Sequence, residues 1–238
     1  GRFREALCHG SLFGAQDYGD NIPTVWYVVR MNRPTRQTPE RGSARTRLLE
    51  AARDTIRQKG FAATTVEDLC QAAGVTKGAF FHHFKTKDAL GVAAAEFWAE
   101  TTGVLFATAP YHDHAAPLDR VMAYLAFRKD IISGETWEYT CLVGTMAQEV
   151  HQHAPDIRDA CGASILGHAE TLQDDIAAAM QAHGIGDDGP GPRSLALHIQ
   201  AVLQGGFILA KATGDPGIAR DSIDHLKRYI ECLFQRPD

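Results

Sequence analysis

Between Gly74 and Leu90 the chain reads Gly-Val-Thr-Lys-Gly-Ala-Phe-Phe-His-His-Phe-Lys-Thr-Lys-Asp-Ala-Leu. Lys77 has the length and charge to reach a phosphate or a guanine edge, and Gly78 and Ala79 are small enough to let a backbone approach base edges closely. Thr65, Thr76, His82, His83 and Lys87 add hydroxyls, imidazoles and a second ammonium nearby. This is chemistry for holding a polyanion, not for breaking bonds. Read separately, His82 and His83 also fit a solvated face, Lys85 a plain surface charge, and Phe80 and Phe84, one helical turn apart, packing.

Three other sets could do chemistry. His112 and His114, with His151 and His153, bring four imidazoles that could serve a metal sensor or metal-dependent enzyme. Both pairs sit beside Pro and Asp in polar turns, so solvated loops explain them, and no metal or cofactor is expected. No G-x-S-x-G, Walker A or H-E-x-x-H unit occurs, so no enzyme is expected either. Cys141, in Thr140-Cys-Leu-Val-Gly-Thr, is either a small buried hydrophobe or a reactive thiol.

The charge is placed where such chemistry needs it. The 238 residues carry a formal net charge of −5, but residues 1–30 balance to 0, residues 31–90 to +5 and residues 91–238 to −10. A basic front on an acidic body suits nucleic-acid contact at one end only, because phosphate neutralisation rewards local charge. The five cysteines include no C-x-x-C pair, which argues against a disulfide framework and for a reducing, cytoplasmic home. No apolar run approaches a membrane span, and no membrane contact is expected.

The elements that must position these residues read as helices throughout. Leu48, Leu49, Ala52 and Ile56 mark a first helix, stopped by Gly60. Thr65-Val-Glu-Asp68 reads as a capped start of a short helix that Gly74 ends, and Thr76 caps a second short one running to Phe84. Two short helices joined by a glycine-containing turn make a helix-turn-helix, about Thr65 to Phe84. Thr86 caps a long helix reaching toward Pro110. Further helices follow over about 118–134, 142–150, 156–183, 194–213 and 217–234. Met31 reads as a start, with residues 1–40 a disordered or non-native extension and residues 1–30 alternatively a native but floppy arm.

The segment Gly74 to Leu90, with the Arg47 to Phe61 helix and Thr64-Thr-Val-Glu-Asp-Leu, resembles the DNA-reading part of the tetracycline-repressor (TetR) family of one-component bacterial regulators. The resemblance implies an all-α fold, with a three-helix DNA-binding domain at 41–87 and a helical effector-binding and dimerisation domain at 88–238. By similarity Thr65, His83 and Lys87 bind phosphates, while Lys77, Gly78 and Ala79 enter the major groove. The family usually places Tyr where this chain has Phe81, which loses one phosphate hydrogen bond, about 0.5–1.5 kcal/mol.

In the body, Phe97, Trp98, Phe106, Tyr124, Phe127, Trp137, Tyr139 and Met146, with Cys141, supply surface for an apolar or aromatic effector pocket. Leu195, Val202, Gly205, Gly206 and Leu209, with Ile223, Leu226, Ile230 and Leu233, suggest a four-helix interface between two chains, or else intrachain core. The expected function is a homodimeric repressor on a palindromic duplex operator, released by a small molecule. Cys141 chemistry toward electrophiles is the alternative, since its segment resembles one in thiol-responsive relatives.

Overall fold

A computed structural model describes residues 42–186 and 189–235, and the expectations for residues 1–40 lie outside it. Helix α1, Ala44–Lys59, starts where the Ser43 hydroxyl accepts the Thr46 N–H at 3.2 Å. It ends at Gly60, whose φ of +89° only glycine adopts without strain. Threonines then set three starts in succession. Thr65 and Asp68 form a capping box on α2, Val66–Ala73; Thr76 caps α3, Lys77–His83; Thr86 caps α4, Lys87–Ala107. Each threonine hydroxyl satisfies a backbone N–H that the helix leaves open.

After a 3-10 turn at Pro110–Asp113 come α5, Pro117–Asp130, and a four-residue helix α6, Thr136–Tyr139, that the sequence pattern does not announce. Then follow α7, Leu142–Val150, and α8, Pro155–Glu170. The chain closes with α9, Gln173–Ala182, α10, Pro192–Thr213, and α11, Pro216–Phe234. The single helix expected over 156–183 is two. At the break the Thr171 hydroxyl donates to the His168 carbonyl at 2.8 Å, and the Leu172 N–H reaches back only to Ala169, at 3.2 Å. That tight turn lets Ala169, Leu172 and Ile176 all enter the core.

Two apolar cores organise the described residues. One joins α5, α9, α10 and α11 through Tyr124, Leu125, Ile176, Ile199, Phe207, Ile223 and Ile230. The other joins the front helices through Leu48, Ile56, Leu69, Phe80 and Leu90, and continues into α7 and α8 through Leu142, Met146, Ile157 and Cys161. The front therefore packs directly on body helices. Gly91 makes this possible, since a Cβ there would stand 2.8 Å from Ile157 and 2.9 Å from Phe61.

Helix α10 is apolar over most of its length: an 18-residue stretch of it reaches a mean hydropathy of 1.3, with 44% of that stretch buried. Its apolar residues divide between the core and an outer face.

Candidate nucleic-acid interface

Helix α3 has two unlike sides. Phe80 is fully buried and Phe84 nearly so, and their rings lie 5.9 Å apart against the front core. At 100° per residue, positions 78 and 82 fall opposite that stripe, position 81 stands beside it, and position 77 opens the first turn. Lys77, Gly78, Phe81 and His82 are all exposed, with Thr65 and Thr76 exposed beside them and Ala79 and His83 half-buried. Phe81 leaves 51% of its surface in solvent, although its edge meets the Phe80 ring at 5.2 Å.

Gly78 has no internal reason to be glycine. A Cβ there would meet only the Thr76 hydroxyl, at 3.8 Å, and glycine within a helix costs about 1 kcal/mol relative to alanine. The missing side chain thus clears space outward, where a base edge would lie. Lys77 is exposed too: its ion pair with Glu67, at 3.4 Å, joins two exposed side chains and is worth little. The hydroxyls of Thr65 and Thr76 already accept the Asp68 and Ala79 N–H groups. Hydrogen bonds from Lys59 and Thr65 hold the Asp68 carboxyl well below the usual carboxylate range.

Lys87, expected on a phosphate, already has partners within the chain. Its ammonium donates to the carbonyls of Phe61 at 3.0 Å and Thr64 at 3.1 Å, and lies 4.5 Å from the centre of the Phe61 ring. It ties the α1–α2 turn to α4. The reason is geometric: a lysine in the first turn of α4 points back over that turn, whose carbonyls no helix satisfies.

Three contacts that sequence reasoning missed attach the front to the body. The Glu149 carboxylate, on α7, accepts the backbone N–H groups of Phe61 at 3.1 Å and Ala62 at 2.8 Å. Arg57, on α1, donates to the Glu138 carbonyl at 3.0 Å. Its guanidinium also lies 5.1 Å from the Trp98 ring and 5.6 Å from the Trp137 ring. Burial lowers the Arg57 pKa, against the raising charge of Asp54. No local pattern announces pairs some 80 residues apart.

The residues expected to line one effector pocket are divided. Phe106, Tyr124 and Phe127 belong with the first core, Phe97, Trp98 and Met146 with the second, and Trp137 stands on Arg57. Cys141 lies between the cores, packed against both. It is the N-cap of α7, where its sulfur accepts the Gly144 N–H at 3.4 Å.

The expected interface is also divided. Leu195, Ile223, Leu226 and Ile230 are buried within the chain, and Gly206 faces Ala219, whose Cα would lie 3.3 Å from an added Cβ. Leu195, Ile223, Leu226 and Ile230 belong to the first core, and Gly206 lets α10 and α11 approach. Leu209 is exposed, Val202, Gly205 and Leu233 are half-exposed, and Gly205 opens onto free space. A groove of about 360 Å³ runs between the outer faces, lined by His198, Val202, Ser222, His225, Leu226 and Tyr229. Among the described residues no three His, Cys, Asp or Glu side chains gather as metal ligands. His112 bonds the Phe106 carbonyl instead, at 3.0 Å.

Comparison with known proteins places this geometry. Residues 48–94 match the family of bacterial regulatory proteins, tetR family, and residues 117–221 match the transcriptional regulator LmrA/YxaF-like C-terminal domain. Transcriptional regulator AcuR of Cereibacter sphaeroides is 29% identical over 154 residues, 65% of this chain and 68% of that protein. The HTH-type transcriptional repressor NemR of Escherichia coli K12 is 25% identical over 195 residues, covering 78% and 93%. The crystal structure of reduced E. coli NemR overlays with a TM-score of 0.67 at 24% identity, over 78% of this chain and 95% of that one. The TetR-family regulator CifR, solved as a cysteine mutant complexed with 26bp double-strand operator DNA, overlays with a TM-score of 0.65 at 17% identity, over 80% and 98%. With an exposed, small-residue α3 held by its two phenylalanines, and with matches over both front and body, this chain belongs to the TetR family of DNA-binding transcriptional regulators.

Proposed function

We propose that the chain is a homodimeric repressor acting in the cytoplasm, whose two copies of α3 read the half-sites of a palindromic operator until a small apolar or aromatic effector releases them. The carrying observation is the α3 surface, with Lys77, Gly78, Phe81 and His82 outward and Phe80 and Phe84 locked behind them. Residues 41–87 supply the DNA contacts and residues 88–238 the effector site and pairing surface. Thr65, Thr76, Ala79 and His83 complete the contact set, while Lys87 acts by holding the turn.

One short helix makes few base contacts, so two copies are required for useful specificity. The outer face of α10 and α11, with exposed Ile208, Leu209 and Tyr229 flanking Val202 and Gly205, supports pairing there. The operator complex of CifR supports a duplex target. Coupling runs through α7: effector binding shifts this helix, and Glu149 carries the shift to the Phe61–Ala62 turn.

Selection of bound sequences from random duplex DNA tests the reading. An inverted repeat is the expected product. Absence of preference for any duplex over competitor polymer at physiological salt, without effector, would overturn it.

A second reading is favoured by the surroundings of Cys141. The charges of Arg57 and Lys211 lie within electrostatic reach of its sulfur, and the Lys211 ammonium is held 2.6 Å from the Thr145 hydroxyl, one turn into α7. By conjugate addition the Cys141 sulfur bonds one carbon of an electron-poor C=C bond while the π pair moves to the other carbon, which takes up the thiol proton, and the adduct pushes on the start of α7. Cys141→Ser separates the readings: full response to the inducer rules out the thiol.

A further inference from the structure

Arg128, on α5, leaves only 8% of its surface exposed, and among the described residues it has no carboxylate partner. Its Nη1 makes two long contacts, to the Tyr124 hydroxyl at 3.4 Å and to His168 Nε2 at 3.5 Å, and among the described residues its buried Nε makes none. The rings of Phe106, Tyr124 and Phe207 surround the guanidinium, with centroids 5.1, 5.9 and 5.8 Å away. The other buried arginine, Arg57, does have a counter-ion, Asp54 at 3.1 Å.

Among the described residues two more buried groups, the Tyr139 hydroxyl and Thr140 Oγ1, have no hydrogen-bond partner. The Tyr139 ring packs 6.2 Å from the Phe207 ring, the same ring that Arg128 lies over. Gln200, 5% exposed, spends its amide on one 3.4 Å contact with the Tyr124 hydroxyl. A buried cation without a counter-ion and buried hydroxyls without acceptors all disfavour the fold as it stands. All three lacks would be met by one anion with an oxygen to spare.

We infer that the effector carries a carboxylate that pairs with the Arg128 guanidinium and accepts a hydrogen bond from Tyr139 or Thr140, its apolar remainder lying against Phe106 and Phe207. A planar carboxylate matches the guanidinium fork with two parallel hydrogen bonds, whereas a doubly charged phosphate calls for more than the single cation present. The inference rests on the proposed effector-released repressor and names the chemistry of its ligand. The site also touches the lever of that mechanism, since Tyr139 and Thr140 run directly into Cys141 and α7.

The test sets hexanoate, benzoate and phenylacetate against hexanamide, benzamide and phenylacetamide at equal ionic strength, on the full chain, with thermal unfolding and release of selected operator DNA as readouts. At least one acid should raise Tm in a concentration-dependent way at tenfold lower concentration than its amide. Arg128→Met should melt a few degrees above the parent without ligand and lose that acid response at least tenfold, while Arg128→Lys keeps part of it and Tyr139→Phe weakens it severalfold. Acids no better than amides, or an undiminished acid response in Arg128→Met, would overturn the inference. The DNA readout separates the failures: release by amides and acids alike removes the carboxylate but keeps the effector-released repressor, whereas DNA held against every compound removes both.

Discussion

Glu149 on α7 holds Ala62 by its backbone N–H at 2.8 Å, and so joins a body helix to the turn on which α2 and α3 are mounted. The neighbouring Phe61 N–H lies on the other carboxylate oxygen, at 3.1 Å. Gly60 permits the approach, because a Cβ there would meet the carboxylate at 2.6 Å. Hydrogen bonds to a charged acceptor contribute about 1.5–3 kcal/mol each. Because the Ala62 N–H is open to water and its bond counts for less, Glu149→Ala should lower stability by about 2–4 kcal/mol, speed amide exchange at Phe61 and Ala62, and weaken operator binding. Unchanged exchange at those two amides would show that the turn does not depend on Glu149.

Lys77 and Lys87 are both lysines beside helix starts, yet they should behave oppositely. Lys77→Ala removes only an exposed 3.4 Å pair with Glu67, so fold and dimer should persist while the salt dependence of operator binding shallows by about one ion per subunit. Lys87→Met takes the ammonium from the Thr64 carbonyl and leaves the Phe61 carbonyl only the Thr64 N–H, and should cost about 1–3 kcal/mol of stability. Salt titrations paired with denaturant melts distinguish the two. A stable Lys87→Met protein with a reduced salt slope would restore Lys87 to the phosphates.

The phenylalanines of α3 give a sharper contrast. Phe80→Ala opens a cavity in a fully packed site and should cost about 3–5 kcal/mol. Phe81→Ala removes a half-exposed ring and should leave the melting temperature within a few degrees, while weakening DNA binding. Circular-dichroism melts alongside binding assays would check both.

How far the sequence carries follows from the range over which its signals act. Thr65, Thr76 and Thr86 fix their helix starts within four residues, and the pairing of Phe80 with Phe84 marks the inner side of α3, so the front of the molecule is legible. Thr171 and Leu172 break a helix without glycine or proline, which periodicity alone passes over. Residues such as Leu195, Ile223 and Ile230 show that a helix is apolar but not which apolar side meets its own chain. Arg57, Glu149 and Arg128 act through partners 40 to 88 residues distant, or through the lack of one. Such roles exist only once the helices have packed.

The thiols should separate by environment. Burial pushes Cys161 up to about 12 and raises Cys70 as well, so both stay protonated near neutrality. Cys232 is exposed, and Cys141 is partly open at the start of α7. Iodoacetamide at mildly alkaline pH, read by peptide mapping, should modify Cys232 first among the described cysteines, Cys141 next, and Cys161 only on unfolding. Labelling of Cys161 at the rate of Cys141 would mean that the core between α4 and α8 opens freely.

His168 should make the body sensitive to mild acid. Burial, and then the charge of Arg128, depress its imidazole to about 3, while its Nε2 lies 2.9 Å from the Tyr124 hydroxyl. Between that value and about 6.5 the unfolded chain binds a proton that the folded chain refuses, so stability rises with pH across this window and is complete above it. Lowering the pH from about 7 to about 5 should therefore destabilise the protein, with one such group contributing at most about 1.4 kcal/mol per pH unit. His168→Gln should flatten that slope. Arg128→Met should flatten it less, because burial is the larger cause. Denaturant midpoints measured across that pH interval check the order, and equal slopes in the parent and His168→Gln would show that the imidazole is reached by solvent.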